Sequence, residues 1–113
     1  MLLVNLHQEA GLVNGSQGRV KDVVFAENSN KFDVPQFVVI EFSDYTGPVW
    51  NKDHPTWVPI PAFRARVNNR GRSERFQIPI VLARAVTVWK AQGMTLKKVI
   101  VQLCKDRHVY GLD

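Results

Sequence analysis

Lys90, Gln92 and Gly93, inside the run Lys90-Ala91-Gln92-Gly93-Met94-Thr95-Leu96, are the residues of this chain whose types and spacing best suit chemistry. An ammonium, a carboxamide and the N–H groups of a glycine turn can hold a phosphate or a nucleotide, and Gly93 permits close approach of the backbone. Such a turn needs elements on either side to position it. Proline is favoured at a first helical position, and after Pro79 the residues Leu82, Ala85, Val86 and Trp89 fall at i, i+3, i+4 and i+7. That spacing predicts a helix of about two to three turns which Gly93 stops. Val99, Ile100 and Val101 predict a strand beyond it.

The preceding two-thirds of the chain is patterned differently. The stretch 11–18 carries three glycines, and its Asn14-Gly15 pair reads as the requirement of a tight turn rather than a ligand site. Arg19 to Phe25 alternates imperfectly and predicts a strand; Ala26 to Asp33 predicts a loop. Phe37 to Phe42 is the clearest strand by its β-branched and aromatic content. Trp57 to Pro61 is extended because of its prolines and belongs at a sheet edge. Phe63 to Val67 and Ser73 to Ile78 flank the turn 68–72 as a hairpin. Short strands with frequent turns, followed by one short helix, predict a mainly β fold built on a small barrel.

The composition allows one small domain: 113 residues, 45% of them hydrophobic, with three Trp and six Phe, supply a core. The apolar runs fall short of the roughly 20 residues of a spanning helix, and Met1 to Leu6 lacks the features of a signal peptide. The expectation is a soluble, intracellular chain without membrane contact. The single cysteine, Cys104, reads as a small apolar residue. The net charge of +5 is uneven: residues 1–63 hold four Lys/Arg against seven Asp/Glu, whereas residues 64–113 hold eleven against three. The basic half opens with Arg64, Arg66, Arg70, Arg72 and Arg75, which reads either as a phosphate-neutralising hairpin or as a merely soluble one.

Several chemistries find no support in the sequence. It contains neither a GxxxxGK[ST] phosphate loop nor a GxGxxG fingerprint. His7, His54 and His108 share no metal-ligand spacing, so no metal site and no catalytic residue is assigned.

The run from Ala83 to Leu96, ARAVTVWKAQGMTL, resembles motif V of superfamily 1 DNA helicases of the PIF and RecD-like group, whose usual form is Ala-aromatic-Ala-aliphatic-Ser/Thr-Ile/Val-His-Lys-Ser/Ala-Gln-Gly-x-Ser/Thr. The upstream elements Met1 to Leu6 and Gly11 to Val20 are similar to the segment that precedes motif V in these enzymes, in the same order and at a similar separation. The resemblance therefore covers most of the chain. It implies residues 1–78 as an SH3-like barrel insertion, called 2B, and residues 79–113 as the motif V segment of the second RecA-like domain, 2A. In such a parent, a 5′-to-3′ ATP-dependent DNA helicase, motif V lies between single-stranded DNA and the ATP site and couples them. Such enzymes serve DNA repair, recombination and telomere maintenance, in the nucleus or mitochondrion of eukaryotes and in the cytoplasm for bacterial or viral forms.

By matching position, Thr87 and Lys90 would contact the DNA backbone, while Gln92 and Gly93 would lie near the nucleotide phosphates. Arg84 stands where the family often has an aromatic residue, and Trp89 where it usually has histidine. Trp89 reads either as a stacking partner for a base or as a core anchor on the apolar face of the helix. Arg70 and Arg72 are further candidates for DNA contact. The parent would use ATP and Mg2+; this chain lacks the phosphate loop, the acidic magnesium motif and the arginine finger, and implies no cofactor of its own. It is expected to have no independent ATPase or unwinding activity. Its expected partners are single-stranded DNA and the remaining helicase domains. The competing reading is a protein-interaction module that self-associates through the exposed domain interface.

Overall fold

Phe37-Val38-Val39-Ile40-Glu41 forms the central strand of the larger sheet, as its stiff β-branched side chains favour. The computed structural model describes residues 1–30, 33–66 and 73–102. Its strands are β1 (Arg19–Val24), β2 (Phe37–Glu41), β3 (Trp57–Pro61), β4 (Phe63–Arg66) and β5 (Glu74–Gln77), with a 3-10 turn at Gln8–Ala10 and one helical turn, α1 (Val88–Ala91). The strands form two antiparallel sheets, β1-β2-β3 and β4-β5. The fold is mainly β with one short helix, as the sequence pattern predicts.

The imperfect alternation of β1 is a bulge. Val20 pairs with Ile40 and Asp22 with Val39, so Lys21 is the extra residue. A bulge re-aims the side chain it carries, and here Lys21 Nζ sits 3.0 Å from a Glu41 carboxylate oxygen and 5.8 Å from the Trp57 ring centroid. β3 lies at the sheet edge, where Pro59 and Pro61 lack N–H donors without breaking a second ladder. Ala62 then turns the chain out of this sheet and into β4, which pairs with β5 from Phe63↔Gln77 to Arg66↔Glu74. The predicted hairpin is thus present, while its turn, with Arg70 and Arg72, lies outside the described residues.

The core joins Leu2, Leu12, Val38, Ile40, Phe42, Val58 and Ile60, with Tyr45, Ile78 and Ile80 packed against it. Leu2 enters this core because a strap at the start of the chain is paired with the segment after β5. Leu2 bridges Ile80 antiparallel; the Leu3 N–H donates to the Pro79 carbonyl at 2.9 Å and the Val81 N–H to the Met1 carbonyl at 3.0 Å.

This pairing cuts the expected helix of two to three turns back to one. Residues 79–87 are not helical, and only Val88–Ala91 forms a turn. Pro79 is buried in the core and gives its carbonyl to Leu3 instead of opening a helix. The intended apolar stripe meets no surface: Leu82 is 86% and Trp89 85% exposed. A single amphipathic turn without a partner face gains too little to propagate. Val99–Val101, expected as a strand, is also irregular and exposed, with no ladder partner among the described residues.

Candidate nucleic-acid interface

Thr87 has extended backbone angles before α1, and its carbonyl accepts the N–H groups of Lys90 and Ala91, each at 3.0 Å. The Thr87 hydroxyl makes no capping bond to the helix, so it is free for other contacts. The turn is closed by Met94, whose N–H donates to the Ala91 carbonyl at 3.0 Å, with Gly93 at φ +79°. A side chain at that φ is strained even though space around Gly93 is open. Thr87, Trp89, Lys90, Gln92 and Gly93 therefore share one exposed single-turn element. Trp89 does not anchor a core: its indole stands in solvent.

Facing this element is the Asn14-Gly15 turn, which the strap holds in place. The Gly15 N–H donates to the Leu2 carbonyl and the Leu2 N–H to the Ser16 carbonyl, both at 2.9 Å, and Gly15 takes φ +95°. The Asn14 N–H donates to Asn5 Oδ1 at 2.8 Å, and Ser16 Oγ accepts from the Val13 N–H at 3.0 Å. With its backbone so occupied, Asn14 retains an exposed carboxamide to offer.

Between the two turns is an open cleft of about 380 Å³, walled by Lys90, Gln92, Gly93 and Met94 on one side and by Met1, Asn14 and Gly15 on the other. A neighbouring cleft of about 400 Å³ shares the Asn14, Gly15 and Met94 walls and runs on towards Thr95 and Leu96. Lys90 is the side-chain cation of the first cleft. Its charge reaches the N-terminal ammonium of Met1, whose pKa is lowered first by burial and then by Lys90. Lys90 gives this opening a positive charge, which favours an anion there. Among the described residues the lining of the first cleft includes no carboxylate, while Asp44 lines the neighbouring one.

The two sequence elements thus come together in space, although Asn14 and Lys90 are 76 positions apart in the chain. The sequence favours a turn requirement over a ligand site for Asn14 and Gly15, whereas both wall the cleft. Arg70 and Arg72 lie outside the described residues, but Arg64 and Arg66 are exposed on β4. A second polar cluster was not foreseen either. The His54 ring stacks on Trp57 with centroids 3.9 Å apart and planes at 9°, beside the Lys21–Glu41 pair. The hydrogen bond from Lys21 holds the Glu41 carboxyl below its ordinary pKa.

Among the described residues no group of three or more His, Cys, Asp or Glu side chains is placed to hold a metal, and no helix is long and apolar enough to cross a membrane. Comparisons of the chain with protein families, with curated proteins and with solved structures find no match.

Proposed function

We propose that this chain is a helicase-derived module that binds single-stranded DNA through the cleft between its Asn14-Gly15 and Lys90-Gly93 turns. The observation that carries the reading is that Lys90, Gln92, Asn14 and Gly93 line one opening whose described lining residues include no carboxylate. Such a set suits a phosphodiester, which asks for a cation and neutral donors. The resemblance to motif V supports it, since Thr87, Lys90, Gln92 and Gly93 are the matched positions and all are exposed on one turn. In the parent enzyme the same turn would couple the DNA strand to ATP hydrolysis. ATP and Mg2+ would be held chiefly by other domains of that parent, and residues 1–113 alone hydrolyse no ATP in this reading.

The test is fluorescence anisotropy with a labelled oligothymidylate in low and rising salt. Binding that weakens with salt, and that falls on charge reversal at Lys90 or at Arg70 and Arg72, supports the reading. Absence of binding at low salt refutes it. A second reading, self-association through an apolar interface, is favoured by one observation: Leu82, Val88, Val99 and Ile100 are all strongly exposed, Ile100 at 98%. A dimer in light scattering that forms without DNA and shows no DNA affinity would select it.

A further inference from the structure

Residues directly opposed across an antiparallel pair share a face, and the period along each strand is two. In the β4–β5 hairpin, Arg64 opposes Phe76 and Arg66 opposes Glu74, so these four occupy one face; Phe63, Ala65, Arg75 and Gln77 occupy the other. All four residues of the first face are exposed, whereas Phe63, Ala65 and Gln77 are half-buried. The first face is therefore the outer one, and Phe76 stands on it 53% exposed. Arg64 does not cover the ring. Its guanidinium reaches diagonally to the Glu74 carboxylate at 3.7 Å, a solvated contact of little strength. The cation that does lie over an aromatic ring among the described residues is Lys21, on Trp57.

We infer that this outer face is a base-stacking platform for single-stranded nucleic acid, with one base lying on Phe76 and the flanking phosphates taken by Arg64 and Arg66. An aromatic ring framed by cations is the combination that binds single strands, the ring through the face of any base and the arginines through the backbone. The two arginines are about 6.6 Å apart along β4, far enough to reach separate phosphates. Charge selects the occupant: the half of the chain that begins at Arg64 carries eleven Lys/Arg against three Asp/Glu. The exposed Arg64–Glu74 contact is weak enough to be exchanged for a phosphate. This inference rests on the nucleic-acid reading above, but on a different surface and a different chemistry, stacking rather than phosphate capture.

The experiment compares Phe76→Leu and Phe76→Trp in the full chain, using labelled oligothymidylate and an abasic strand of equal length, with circular dichroism to check folding. Leu keeps the apolar bulk and loses the flat ring; Trp keeps the ring. The expected result is a loss of about tenfold in oligothymidylate affinity for Phe76→Leu, restoration by Phe76→Trp, and no change of either variant on the abasic strand. Equal affinity of Phe76→Leu and the unsubstituted protein for oligothymidylate overturns the platform. So does a loss of the same size on the abasic strand, which marks a structural effect. Lys90→Glu is run beside them. If it weakens binding while Phe76→Leu does not, the cleft stands and the platform falls; if the unsubstituted chain binds neither strand, both fall.

Discussion

Leu2→Ala tests the strap that joins fold to cleft. Leu2 is fully buried, at 0% exposure, in the cluster with Leu12, Val38, Ile40, Phe42, Val58 and Ile60. Cutting a buried leucine back to alanine removes its transfer energy and leaves a cavity, costing about 2.7–5.0 kcal/mol. A domain of this length is stabilised by roughly 6–17 kcal/mol in all, so the loss is a large fraction. With a urea m-value of about 2 kcal/mol/M, the unfolding midpoint falls by about 1.4–2.5 M. The companion variant is Leu82→Ala. Leu82 has the same chemistry but is exposed, so its truncation changes stability by less than about 0.5 kcal/mol. Urea titrations followed by circular dichroism and by tryptophan emission measure both. Equal destabilisation by the two variants would refute the reasoning, because it would require Leu82 to be buried on a helix that the structure does not contain.

Gly18→Ala is expected to cost about 1–3 kcal/mol by thermal melting, since its Cβ would stand 2.6 Å from the Glu41 carbonyl oxygen and from an Ile40 methyl. Glu41 has a folded pKa below its unfolded one, so its pairing with Lys21 contributes above the ordinary glutamate pKa and is lost as pH falls through the lowered value. A carboxyl NMR titration should show Lys21→Met returning Glu41 toward the ordinary value; an unchanged titration would remove Lys21 as the cause. Lys90→Glu should flatten the salt dependence of oligothymidylate binding by about 0.7 in log–log slope, one phosphate contact, across about 50–200 mM salt. An unaltered slope would take Lys90 out of the interface.

The strands were legible because each carries its own signal. β2 announces itself by Val38, Val39 and Ile40, β3 by its two prolines, and the faulty alternation around Lys21 is the trace of a bulge. The helix was misread because periodicity states only that a stripe exists and not that anything covers it. Leu82 and Trp89 have the spacing of a buried face, yet the Pro79 carbonyl accepts from Leu3 and the Val81 N–H donates to Met1. That competition is between residues 78 positions apart, Leu2 and Ile80, and no local window contains it. Of the candidate site, Thr87 to Gly93 was legible as a turn rich in donors. Its opposite wall, Asn14 and Gly15, was not, since its place depends on the same long-range strap.

The Leu2–Ile80 bridge also sets the two ends of the intervening chain side by side. Everything from Leu3 to Pro79 leaves and returns through one opening the width of a single backbone pair. A segment tied off in this way is a self-closed cassette of the chain, its two ends held together by the hydrogen bond from Leu3 to Pro79. The loop-closure cost is met once, at the neck, and depends only weakly on how long the cassette is.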